Sequence, residues 1–193
     1  MNLDEQYWNG RYAKDQSGWD VGKPTPPLTA YMDTLTDKQM AILVPGCGNG
    51  YEVAYLADKG FTNVTVIDIA SIPVERLRTQ LSGKPVQILH GDFFDLPAAQ
   101  FDLVLEQTFF CALDPMQRLP YVLQMHPVLK PGGKLAGVMF NRTFEQQGPP
   151  FGGSTEEYRS LFKERFASVA IEPCYNSIEP RKGTEVFIIA EKK

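Results

Sequence analysis

From Ala41 onward, short apolar runs alternate with longer amphipathic stretches, the rhythm of strands and covering helices in a parallel sheet. A first strand over 41–44 stops at Pro45. A helix over about 50–59 then carries Val53, Ala54, Leu56 and Ala57 on one face before Gly60 ends it. The β-branched run 64–67 predicts a second strand ending on Asp68, after which Ser71 reads as an N-cap, with Pro73 in the first turn of a helix to about Leu81. Strands over 86–89 and 101–105 follow, the first ending at His90, Gly91 and Asp92 and the second at Glu106. Asp114 and Pro115 open a helix to about Leu129, and a glycine turn leads to a fifth strand over 134–140. A helix over 155–166 precedes two apolar stretches, 168–172 and 184–190, expected to pair as an antiparallel ribbon turning around 180–183. The pattern predicts one α/β domain over 1–193. Its core, 41–193, is a Rossmann-like, mostly parallel sheet of seven strands that ends in an antiparallel hairpin.

The candidate chemistry sits where these predicted strands end. Gly46, Cys47, Gly48, Asn49 and Gly50 form a glycine-rich turn between a strand and a helix, which lets backbone approach a ligand and presents unpaired helix N–H groups to an anionic group. Asp68 ends the next strand, near the interval at which an acidic side chain meets ribose hydroxyls in this architecture, and Ile69 beside it belongs to the same candidate site. Asp92 could accept from an adenine amino group and Phe93 could flank the base, while Glu106 ends the fourth strand. All four points fall at carboxyl ends of parallel strands, where open α/β sheets bind ligands. The glycine spacing is not the dinucleotide pattern, because Tyr51 stands where that pattern has its third glycine. The spacing favours S-adenosylmethionine as cofactor. Two other readings remain at this point: a nicotinamide-dependent oxidoreductase, and a nucleoside-binding module without catalysis.

Composition narrows the partners. The formal charge is −4 and no basic run exists beyond Lys192 and Lys193, which argues against nucleic acid. Cys47, Cys111 and Cys174 are odd in number and widely spaced, fitting neither a disulfide framework nor a metal site. No apolar run is long enough for a bilayer, and the polar start of the chain lacks the pattern of a signal peptide. The expectation is a cytoplasmic monomer acting on a small-molecule acceptor, with no membrane partner.

With those residues in hand, the chain resembles the class I S-adenosylmethionine-dependent methyltransferases, and within them the thiopurine S-methyltransferase family, which includes thiol, thiocyanate and halide methyltransferases. The resemblance rests on Tyr7-Trp8, Gly18-Trp19-Asp20, Pro24 to Leu28, and Val44-Pro45-Gly46-Cys47-Gly48. It continues through Phe109-Phe110-Cys111-Ala112-Leu113 with Arg118 and Tyr121, Leu129-Lys130-Pro131-Gly132-Gly133, and Gly148-Pro149-Pro150-Phe151. It implies that residues 1–40 cover the cofactor through Trp8 and Trp19. It also implies that Gly46, Gly48 and Asp68 hold the methionine and ribose parts, that Asp92 and Phe93 bind adenine, and that Arg118 faces the acceptor. Gln107 stands where some plant relatives have Tyr, which counts against halide and thiocyanate as acceptors.

Methyl transfer from a sulfonium needs proximity and a dry pocket more than a dedicated base. That suits a chain whose two histidines, His90 and His126, have no partner at a diagnostic spacing. Arg118 and Arg142 are the candidate acceptor contacts, the latter just past the fifth strand. Cys111 lies in an apolar run and reads as a small core hydrophobe.

Overall fold

The computed structural model describes residues 2–193. Seven strands form one sheet in the order β3-β2-β1-β4-β5-β7-β6. Strands β1 (Ile42–Pro45), β2 (Val64–Asp68), β3 (Val86–His90), β4 (Phe101–Gln107) and β5 (Leu129–Phe140) run parallel, and β7 (Glu185–Glu191) inserts antiparallel between β5 and β6 (Ser168–Pro173). The ribbon expected at the end of the chain is present. It is joined by the segment 174–184 rather than by a tight turn.

Period-two alternation sends neighbouring strand residues to opposite faces. Ile42, Val44, Leu103 and Leu105 pack under α2 (Pro26–Met32), α3 (Tyr51–Asp58) and α4 (Ser71–Gln80). Leu43, Val104, Leu135 and Met139 pack under α5 (Arg118–Val128) and α6 (Thr155–Phe162). Both faces are covered, so β1 is buried at every position.

Several boundaries differ from the sequence pattern. Helix α6 ends at Phe162, because the N–H groups of Arg165 and Phe166 both turn back to its carbonyl. Phe166 nevertheless stays in the core, which is why its spacing mimics another helical turn. Pro115–Gln117 is a separate 3-10 turn capped by Asp114, and α5 begins only at Arg118. Strand β5 starts at Leu129, which pairs with Phe101; the ladder then shifts register across the glycine turn, where Gly132 is left-handed, and resumes at Lys134 opposite Leu103.

The N-terminal segment, to which the hydrophobic pattern assigned no element, contains α1 (Glu5–Ala13) as well as α2. Helix α1 has one buried side chain, Tyr12, and too few apolar positions to announce itself. Its docking is polar. Ser71 is not the N-cap of α4; Ala70 occupies that position and offers no side chain. Asn9 of α1 supplies the missing acceptor, its Oδ1 taking the Ile72 N–H at 3.0 Å while its Nδ2 donates to Ser71 Oγ at 3.0 Å. Asn9→Ala should therefore lower stability by about 1 kcal/mol, the ordinary worth of a cap, read as a lower urea midpoint at unchanged slope.

Candidate active site

A cleft of about 580 Å³ opens over the carboxyl ends of the parallel strands and is covered by the N-terminal segment. Its floor is the turn after β1. Gly46 and Gly48 take left-handed backbone, at φ 65° and 49°, which glycine adopts without steric cost. A Cβ on Gly48 would meet only the Tyr12 hydroxyl, at 3.7 Å, so the turn leaves an open cradle against bare backbone. Asp68 stands beside it. Its Oδ1 accepts from the Ala70 N–H at 2.8 Å, whereas Oδ2 has only long contacts, 3.4 Å to Gly48 N and 3.5 Å to Cys47 Sγ. That oxygen retains capacity for hydroxyl donors. Burial pushes the Asp68 carboxyl above its usual range, opposed by the backbone N–H groups of Ala70, Gly48 and Cys47 and by the Cys47 thiol. Burial and the Asp68 charge hold the Cys47 thiol protonated. At the end of β3, Asp92 accepts from the Phe94 N–H through Oδ1 at 2.9 Å, and Phe93 lies below it, edge-on to Phe109 at 5.5 Å.

The cover is an aromatic cluster. Trp19 meets Trp8 edge-on at 5.7 Å and Tyr12 at 5.8 Å, with the Arg11 guanidinium over its ring at 5.5 Å. Beyond the Asn9 cap, further polar contacts strap the cover to the core. Asp20 accepts from Asn49 Nδ2 and the Tyr51 hydroxyl, Glu52 accepts from the Thr25 N–H at 2.9 Å, and Arg181 donates to the Trp19 carbonyl at 2.8 Å.

Trp8, Trp19, Gly46, Cys47, Gly48, Asp68, Ile69, Asp92, Phe93 and Arg142 all line this cleft. Glu106 and Arg118 do not. Glu106 is wholly buried beneath the cleft wall, where it accepts from the N–H groups of Phe109 and Phe110 and from the Tyr121 hydroxyl, each at 2.9 Å. Arg118 is buried too. Its guanidinium pairs with Glu157, donates to the Gly152 carbonyl and lies over Phe110 at 5.3 Å, so it fastens the loop before α6 instead of facing the cleft. A buried arginine must be paired, and this one spends Nη1 on Glu157 and Nη2 on the Gly152 carbonyl, while its buried Nε has no partner. Arg142 differs: it is exposed, stacks over Phe144 at 4.7 Å, and among the described residues forms no ion pair.

Sequence reasoning missed Arg181, which lines the cleft from the segment before β7 with its guanidinium 5.5 Å from the centre of the Phe140 ring. Nothing in its local pattern distinguishes it from neighbouring surface charge. Gln107, noted only as a departure, also lines the cleft, and its buried Oε1 has no partner. Neither histidine lines it. His90 Nε2 lies 3.1 Å from both the Ile69 carbonyl and Glu5 of α1, and His126 packs edge-on to Phe166. Cys111 reaches the cleft floor, but its thiol donates to the Thr108 carbonyl and burial holds it protonated.

Burial also pushes the Glu106 carboxyl up to about 7, against the three donors. Folding thus favours the protonated form. This contribution is fully present below the unfolded value of 4.5 and is lost as pH rises through about 7. Glu106→Gln should flatten that part of the stability profile, measured as urea midpoints between about pH 4 and about pH 8.

A seven-stranded sheet of this order, with a glycine cradle after β1 and carboxylates at the ends of β2 and β3, defines a class I S-adenosylmethionine-dependent methyltransferase. The same fold is found in the Burkholderia thailandensis 1,6-didemethyltoxoflavin-N1-methyltransferase, solved with S-adenosylhomocysteine. The TM-score is 0.74 at 19% identity, over 98% of this chain and 87% of that one. A TehB-like S-adenosylmethionine-dependent methyltransferase from Corynebacterium glutamicum superposes with a TM-score of 0.71 at 16% identity, over 97% and 100%. Within the class, the thiopurine S-methyltransferase family model matches residues 3–192, and the chain belongs to that family. It is 36% identical over 184 residues to the probable thiol methyltransferase 2 of Arabidopsis thaliana, covering 92% of this chain and 81% of the relative. It is 30% identical over 189 residues to thiocyanate methyltransferase 1 of Brassica oleracea, covering 95% and 83%. The thiopurine S-methyltransferase of Vibrio parahaemolyticus is 30% identical over 177 residues, 82% of each chain. The chain is therefore a methyltransferase rather than an oxidoreductase or a silent binding module.

Proposed function

We propose that this enzyme methylates the sulfur of a small anionic thiol held between the cofactor and Arg142. When bound, S-adenosylmethionine supplies a sulfonium methyl open to in-line attack. The order β3, β2, β1 supports adenine against Asp92 and Phe93, ribose hydroxyls on the loosely held Oδ2 of Asp68, and the methionine part over the cradle of Gly46 and Gly48, with Cys47 and Ile69 closing its sides. At the tips of β4 and β5, Phe109 and Phe140 would exclude water from the transferable methyl, and Gln107 and Arg142 would offer polar contacts to the acceptor. Trp8 and Trp19 cover the cofactor.

The observation that carries this reading is Arg142, which among the described residues forms no ion pair and lies on an aromatic wall at that end of the cleft. It suits a soft anion, and sulfur is the atom common to the acceptors for which the relatives are named. A thiolate formed in solution needs no protein base. The three buried, free cysteines and the charge of −4 support a monomer working in a reducing cytoplasm on small molecules, without nucleic-acid or membrane partners.

Transfer of radiolabelled methyl should be seen with thiophenol, 2-mercaptobenzoate and 6-mercaptopurine. Arg142→Ala should raise the KM for 2-mercaptobenzoate about tenfold, about 1.4 kcal/mol, with S-adenosylhomocysteine affinity unchanged. Turnover confined to oxygen or nitrogen acceptors would overturn the sulfur assignment.

A further inference from the structure

Glu106 sits at the end of β4, yet none of its surface reaches the cleft. Its place is made by the neighbouring strand: Gly137 lies opposite it in the register, and a Cβ there would stand 2.2 Å from the Glu106 Cβ. The carboxylate binds the chain that follows it. Oε1 takes the Phe109 and Phe110 N–H groups together, and Oε2 takes the Tyr121 hydroxyl from α5.

The residue enclosed by that clasp is Thr108, at φ 59°, a left-handed conformation that a β-branched residue rarely adopts unless its surroundings enforce it. Gln107, Thr108 and Phe109 all line the cleft.

We propose that Glu106 is a positioning residue, whose buried carboxylate holds Thr108 in its left-handed turn and so sets the wall of the cleft that receives the methyl acceptor. This deepens the acceptor-site reading above and rests on it. A carboxylate suits the task, because it offers several lone pairs at one point and binds two converging N–H groups more strongly than a neutral oxygen. The titratable groups facing it are Tyr121 on α5, Cys111 in the turn after the loop and Tyr158 on α6. Beside it, β1 carries no titratable side chain and β5 presents Gly137.

The test separates the loop from the chemistry. In Glu106→Ala, amide exchange at Phe109 and Phe110 should quicken at least about tenfold, while S-adenosylhomocysteine affinity by calorimetry stays at the wild-type value. With thiophenol, kcat/KM should fall about 100-fold, the scale of a misplaced wall. Adding Thr108→Gly, which adopts the left-handed turn freely, should recover about tenfold of that loss. Unchanged exchange in Glu106→Ala, or no recovery by Thr108→Gly, overturns the inference.

If Glu106→Ala does not fold, Glu106→Gln keeps the test open. The Phe109 and Phe110 amide resonances should titrate near pH 7 in the wild type and lose that titration in Glu106→Gln. Identical titrations in both proteins overturn it equally. These resonances report on the loop even if thiophenol is not methylated by the wild type, so failure of the sulfur reading stays distinguishable.

Discussion

Asp68→Ala will weaken S-adenosylhomocysteine binding about 100-fold, about 2.7 kcal/mol in calorimetry, while the fold survives. The magnitude follows from two hydroxyl donors losing a charged acceptor. The free capacity lies on Oδ2, whose contacts to Gly48 and Cys47 are long, while Oδ1 is engaged at Ala70. The Ala70 bond is a local turn contact, and losing it costs about 1 kcal/mol of stability, as for a cap. The two effects separate cleanly, because a melting curve without ligand reads the second and calorimetry on the folded protein reads the first. Wild-type affinity in the variant would take Asp68 out of the cofactor site.

The second large effect is on the fold. Gly137→Ala should lower stability by about 3 kcal/mol, the upper end of ordinary overpacking, out of a total of about 5–15 kcal/mol. The added Cβ would stand 2.2 Å from the Glu106 Cβ and 2.7 Å from its backbone oxygen, in the middle of the β4–β5 ladder, where neither atom can swing aside. Relief would require the strands to separate, which breaks the register carrying Gln107 beside Val138. A urea midpoint equal to that of the wild type would show that the ladder tolerates the shift.

Much of this was legible in the sequence, for local reasons. Apolar and β-branched runs define β1, β2 and β4 because a strand buried on both faces has little choice of side chain. The glycine turn, Asp68 and Asp92 could be grouped without coordinates because parallel strands bring their carboxyl ends to one rim. Glu106 was grouped with them by the same rule, and the rule failed on parity. It lies two residues beyond Val104, on the face that meets α5, so its side chain turns beneath Tyr121 and away from the rim. Arg118 had a similar signal. It shares its helical face with Tyr121, Val122 and Met125, all fully buried, and a cation there must find partners inside the protein.

By itself, then, the sequence determined the alternation of elements, the sheet they build and the rim where a nucleoside can lie, since each depends on spacing along the chain. The tertiary structure alone decided which charged groups reach the cleft and how the cover is held. Asn9 caps a helix from α1, Arg181 arrives from the segment before β7, and Arg118 is consumed by Glu157, all through partners distant in sequence. Polar contacts of that kind depend on where side chains meet in space, and no periodicity along the chain records them.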